Sequence, residues 1–209
     1  MGTKINNNIK GDFLWRGLGG HFDSITQILN EFIDNSISNL KSNKDLPIKQ
    51  IQITIKELQE DISITIEDTG TGFENIDSAF TLGSQEHQDS TMNEHGFGFK
   101  HALATANPNN NNWIILTRTV DQYTNGVYTK ISSPYKIENF ECEEYVDVQT
   151  PWTGSFQNGT LFMFSCSKEL FSTVVDGVGG KHGFNSHIKH LVEDLGFTYS
   201  EIIKDGNAN

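Results

Sequence analysis

The chain has 209 residues, enough for one domain, with 35% hydrophobic residues, 14 Phe among them, so a sizeable core can form. Its formal net charge of −12 disfavours the phosphate backbone of DNA and anionic membranes as partners of this surface. The N-terminus is polar and no apolar run nears the roughly 18 residues that span a bilayer, so an intracellular protein without a membrane contact is expected, cytoplasmic or, in a eukaryote, nuclear. Cys142 and Cys166 lack a paired metal spacing, and the composition fits a reducing compartment.

Residues 1–20 are polar and Gly-rich, with Phe13, Leu14 and Trp15 as a small apolar anchor, and read as an N-terminal strap or arm. Ser24-Ile25-Thr26-Gln27 fits a capping box, so a helix is expected from near Ser24 to about Leu40. Ile25, Leu29, Phe32 and Ser36 recur at helical spacing. Glu31 and Asn35, four apart, project as neighbours from one side. A carboxylate there can orient or deprotonate a water. An amide oxygen can coordinate a hard cation such as Mg²⁺ bridging to phosphates. A plain amphipathic surface helix shows the same spacing.

Ile51, Ile53 and Ile55 alternate with polar residues, and so do Ile62, Ile64 and Ile66, which predicts an antiparallel hairpin. The second strand runs into Asp68-Thr69-Gly70-Thr71-Gly72-Phe73. Glycines without a Cβ let a flat ring approach the backbone while the carboxylate accepts an exocyclic N–H. An ordinary Asp/Gly turn has the same composition. A short helix is expected near Asn75 to Leu82. The polar residues from Gly83 to Glu94 follow, either a lid or a surface loop.

Gly96-Phe97-Gly98-Phe99-Lys100 comes next, before a short helix of small and apolar residues. Successive backbone N–H groups ahead of a helix form an anion site, and Lys100 adds charge. A Gly-rich turn with a surface lysine is the plainer alternative. A P-loop would need Gly where Asn93 stands and Ser/Thr where His101 stands, and His101 also breaks the dinucleotide fingerprint. Trp113 to Thr119, Tyr123 to Ile131, Tyr145 to Val148 and Leu161 to Cys166 read as strands, and Phe184 to Ile203 as a final helix. Gly177-Val-Gly-Gly-Lys181 reads as a linker, His182, His187 and His190 as surface residues, and Trp15, Trp113 and Trp152 as packing residues.

The order of the motifs is more specific than any one of them. A helical Glu31-x-x-Asp34-Asn35, a strand ending in Asp68-x-Gly70-x-Gly72, a polar segment and Gly96-x-Gly98-x-Lys100 follow one another, and Asn158-Gly159-Thr160 leads into the apolar strand Leu161 to Phe164. This set resembles the GHKL ATPase superfamily of gyrase-type topoisomerases, the large heat-shock chaperone, histidine kinases and MutL. Glu31 with Asp34-Asn35-Ser36 looks most like the gyrase, MutL and MORC branches, and Phe80-Thr81-Leu82-Gly83-Ser84 with Gly96 to Lys100 looks MORC-like.

The resemblance implies an α+β two-layer sandwich, the Bergerat fold, whose mostly antiparallel mixed sheet is covered by helices on one face. It implies an ATP-binding domain over 21–183 with a lid at about 83–97, and a connecting helix over 184–209 towards a transducer domain. The family's transducer supplies a lysine to the γ-phosphate, and the chain stops after Lys204 to Asn209, so an ATPase fragment of a longer protein is expected. ATP would be the substrate and Mg²⁺ the cofactor. Glu31 would be the general base, and Asn35 would hold Mg²⁺. Asp68 would read the adenine amino group, with Gly72 and Thr160 completing that pocket. Gly96, Phe97, Gly98, Phe99 and Lys100 would cradle the phosphates and carry the lid's hinge, and Gly70, Phe73, Gly83 and Ser84 would also bind ATP.

The implied activity is slow Mg-dependent ATP hydrolysis with nucleotide-driven lid closure and homodimerisation. DNA or a protein client would be engaged only through regions outside this chain. A non-hydrolysing ATP sensor or scaffold and a histidine-kinase-type phosphotransfer module are the alternatives. The Glu31/Asp34 pairing and the lack of an upstream phosphoacceptor helix argue against the second.

Overall fold

A computed structural model describes residues 11–42, 49–80, 98–136, 142–146, 157–174 and 183–206. The first ten residues of the expected arm, the expected lid at 83–97 with Gly83, Ser84, Gly96 and Phe97, residues Asp147 and Val148, Trp152, and the Gly177 to Lys181 linker with His182 lie outside the described residues.

Six strands form one sheet. β1 (Ile51–Glu57) and β2 (Asp61–Asp68) make the expected hairpin. β3 (Trp113–Arg118), β4 (Val127–Ser132), β5 (Glu143–Val146) and β6 (Gly159–Ser167) complete the order β1-β2-β6-β3-β4-β5, with every recorded pairing antiparallel. The last strand in sequence thus enters the middle of the sheet, between β2 and β3. Alternation decides the faces. Ile62, Ile64 and Ile66 of β2, Phe162 and Phe164 of β6 and Trp113 and Ile115 of β3 are buried in the main core. On the opposite face Leu116 and Leu161 form a smaller cluster with Ile114 and Tyr128.

Helices cover the first face. α1 (Gly11–Leu18) and α2 (Ile25–Ser42) come before the sheet. α3 (Ile76–Phe80) and α4 (Gly98–Ala106) flank the segment from 81 to 97. α5 (Val120–Thr124) precedes β4, and α6 (Lys168–Phe171) and α7 (Phe184–Gly206) follow β6. α2 begins where the capping box puts it. The Gln27 N–H donates to Ser24 Oγ at 3.3 Å, and Gln27 Oε1 accepts from the Asp23 and Ser24 N–H groups at 2.8 and 3.3 Å. Its buried stripe of Ile25, Ile28, Leu29, Phe32, Ile33 and Ile37 faces the sheet. Phe32 lies 5.0 Å from Phe162 and 5.1 Å from Phe164, ring centre to ring centre. Truncating such a side chain costs about 3–5 kcal/mol. In α4 the buried Ala102, Ala104 and Ala106 let the helix sit close to its neighbours.

Two elements depart from expectation. The strap contains a helix, α1, pinned by Trp15, whose indole N–H donates to the Asn107 carbonyl at 2.8 Å and whose ring stacks on Trp113 at 6.0 Å. Tyr123 and Thr124, expected in a strand, belong to α5, because Thr119 and Gln122 form a second capping box that nucleates a turn before β4. Trp15 and Trp113 are buried packing residues, as expected.

Candidate functional site

The site is built from one wall, α2, and from the strand ends opposite it. Asp68 closes β2 in register with Thr160 of β6. Gly159 makes that pairing possible. Its φ is +137°, and a Cβ there would collide with the Asp68 carbonyl. The Asp68 carboxylate is buried and receives three donors. Oδ1 accepts from the Gly70 N–H at 2.9 Å and the Thr160 N–H at 3.2 Å, and Oδ2 accepts from the Ser36 hydroxyl at 3.0 Å. Burial is the larger influence and pushes its pKa up to about 6; the three donors pull the other way.

The loop after Asp68 is held against α2. Asn39 accepts from the Thr71 N–H at 2.9 Å and donates to Thr71 Oγ1 at 3.2 Å. Asn158 donates to the Gly70 carbonyl at 2.5 Å. A Cβ on Gly70 would run into the Asn39 side chain. Gly72 has φ +75°, and a Cβ there would stand 2.6 Å from the Arg118 carbonyl oxygen. The Phe73 N–H donates to Thr117 Oγ1 at 2.7 Å. Its ring joins an aromatic group with Phe80, Phe99 and Phe162 at 5.5–6.4 Å.

Further up α2, Asn35 donates its amide to the Glu31 carbonyl at 2.8 Å. The nitrogen is thereby committed to the helix, and the oxygen becomes the atom able to take a cation. Glu31 is half-buried, and its pKa is raised, first by burial and then by the charge of Asp34, with the Asn35 amide opposing. Gly98, the first residue of α4, abuts it, for a Cβ there would fall on the Glu31 carboxylate. Lys100 is 1% exposed, and burial lowers its pKa to about 8. Its ammonium sits 5.3 Å from the Phe99 ring centre. Beside it His101 stacks on His21 at 4.2 Å.

Two groups therefore assemble along α2. Glu31 and Asn35 meet the start of α4. Ser36 and Asn39 meet Asp68, Gly70, Thr71 and Thr160. Roughly 7.5 Å of helical rise separates Glu31 from Ser36. At Gly70, Gly72 and Gly98 an added side chain would strike Asn39, the Arg118 carbonyl and Glu31, so the glycines let these groups approach closely. A buried acceptor at one end and a carboxylate and amide at a helix start at the other suit a purine nucleotide with its phosphates. Among the described residues no group of three or more His, Cys, Asp or Glu could hold a metal ion.

Ser36 and Asn158 enter the sequence motifs without a role of their own, and Asn39, Thr117 and Tyr199 do not enter them. Asn39 carries a usable signal, as it continues the Glu31–Asn35 spacing by one more turn.

A family model described as histidine kinase-, DNA gyrase B-, and HSP90-like ATPase matches residues 20–131, more than half of the chain. The match takes in Glu31, Asn35, Asp68, Gly72 and Gly98 and ends before Thr160. No curated protein matches the chain.

Proposed function

This chain belongs to the histidine kinase-, DNA gyrase B- and HSP90-like ATPase family, and on that premise we propose that it binds Mg-ATP between α2, the β2 and β6 ends and α4, and hydrolyses it slowly. The observation that carries the reading is the pairing of two chemistries on one helix. Asp68, oriented by Ser36, Gly70 and Thr160, accepts the adenine amino N–H. Gly72, held close to the Arg118 carbonyl, fixes the turn of the loop beside Asp68. Asn35 offers its oxygen to Mg²⁺, which when bound neutralises phosphate charge. The start of α4 would receive the phosphates with its N–H groups, and Lys100, buried in the same helix, adds positive charge.

Glu31 is the base. Burial, and then the charge of Asp34, raise its proton affinity and make it a stronger proton acceptor than an exposed carboxylate. It takes one proton from a water as that water's oxygen attacks the γ-phosphorus. The bond to ADP breaks on the opposite side, and the electron pair leaves with ADP. The Glu31 and Asp34 pairing favours hydrolysis over transfer to a protein histidine.

The domain boundaries at 21–183 and 184–209, a lid at about 83–97, nucleotide-driven homodimerisation and kinship with the MORC-like branch belong to the same proposal and rest on the sequence. No helix among the described residues is long and apolar enough to cross a membrane. Calorimetric titration of ATP with and without Mg²⁺, then phosphate release from the same sample, tests the proposal. Binding strengthened by Mg²⁺ with slow release is expected. Absence of binding under both conditions overturns it.

A further inference from the structure

α7 joins the main core through Leu191 and Tyr199 and leaves Val192, Phe197 and Ile203 exposed. Tyr199 on the same helix is 6% exposed. Its hydroxyl lies 2.9 Å from Asp34 Oδ1 and 3.3 Å from the Asn30 carbonyl oxygen. A buried phenol needs a hydrogen-bond partner, and the Asn30 carbonyl alone would satisfy one proton. The shorter contact goes instead to a carboxylate, a charge-assisted bond stronger than a neutral one. Asn30 immediately precedes Glu31, and Asp34 follows it by one turn. One hydroxyl thus touches the backbone just before the base and the acid just after it. Burial and the charges of Asp34 and Glu31 all raise the phenol's pKa, so it stays a donor.

We infer that Tyr199 is a positioning residue for water activation: its hydroxyl holds Asp34 and the Asn30–Glu31 backbone, so that the seating of α7 sets the place of the Glu31 carboxylate against α4. The inference rests on Glu31 being the base. Through this bond the position of α7 reaches the chemistry without α7 touching nucleotide. A shift of α7 would free Asp34 to move towards Glu31 and slow turnover at unchanged occupancy.

Tyr199→Phe removes the hydroxyl and keeps the ring. It is made in the full chain beside Asp34→Ala, the double variant and Glu31→Gln. Phosphate release, ATP affinity and thermal midpoint are measured for each. We expect kcat of Tyr199→Phe to fall roughly tenfold or more, as for a small misplacement of a reacting group, with ATP affinity within about twofold of wild type. The double variant should be no slower than Asp34→Ala alone, because the two act as one unit. A Tyr199→Phe protein that loses stability or affinity but keeps kcat, or losses that simply add in the double variant, overturns the inference, while a Glu31→Gln protein that no longer releases phosphate leaves the base in place. Hydrolysis by Glu31→Gln at the wild-type rate removes the base, and the inference with it.

Discussion

Replacing Asp68 by Asn should stabilise the nucleotide-free protein and cripple ATP binding. The folded Asp68 carboxyl keeps its proton up to about pH 6, against 3.8 for the free side chain. Folding therefore takes up a proton between these values. The stability this confers is fully present below about 3.8 and is lost as pH rises through 6. Above pH 6 the buried charge holds about 3 kcal/mol against the folded state. Asparagine removes the charge and keeps an oxygen for the Gly70 and Thr160 N–H groups. Its nitrogen then faces Ser36 Oγ, which must turn to accept, and the displaced hydroxyl proton costs about 1 kcal/mol. A net gain of about 2 kcal/mol at pH 8 is expected, or about 4–8 °C in thermal midpoint for a chain of this size. The gain should shrink as pH falls from 7 to 4. Meanwhile an amide N–H meets the adenine amino donor, and affinity should fall about 10- to 100-fold. Urea unfolding from pH 4 to 8 and ATP calorimetry read both effects. A loss of 2 kcal/mol or more at pH 8 would refute the burial argument, and unchanged ATP affinity would refute the assignment of Asp68 to adenine.

Gly72→Ala should lose about 2 kcal/mol or more in urea unfolding, because φ is +75° and the new Cβ meets the Arg118 carbonyl oxygen at 2.6 Å; a loss under 0.5 kcal/mol would contradict the close approach. Gly98→Ala places a Cβ on the Glu31 carboxylate, so phosphate release should drop roughly tenfold with a smaller change in ATP affinity; equal losses in both would point to a binding role alone. Turnover should fall on the acid side as Glu31 takes up its proton, at a pH above the ordinary 4.5 because its pKa is raised. An acid limb in the kcat profile at or below 4.5 would contradict that.

What was legible in the sequence was what local pattern fixes. Alternating Ile62, Ile64 and Ile66 and the Ser24–Gln27 box specify β2 and the start of α2 without help from the rest of the chain. The spacing of Glu31 and Asn35 puts both on one side of α2, and the glycines after Asp68 mark the loop that leaves β2. The remainder depends on contacts far apart in sequence. α1 is a short helix with Gly11 and Gly17 in it, and it is held by Trp15 packing on Trp113 and Tyr135. Ser36 looked like a member of the apolar stripe, and only the return of β2 beside α2 turns its hydroxyl into a donor to Asp68. Asn158 reaches Gly70 because β6 inserts next to β2. Tyr199 stands within the expected final helix, and its link to Asp34 exists only once α7 has docked. Tyr123 was misplaced because the Thr119–Gln122 box outweighs the β-propensity of the residues around it.

The most direct test of the central claim compares wild type and Glu31→Gln at saturating Mg-ATP, following phosphate release and bound nucleotide in the same samples. Wild type should release phosphate slowly, and Glu31→Gln none above background with its ATP still bound. Equal release by the two proteins, or loss of ATP binding in the variant, would contradict the placing of Glu31 as the group that activates water.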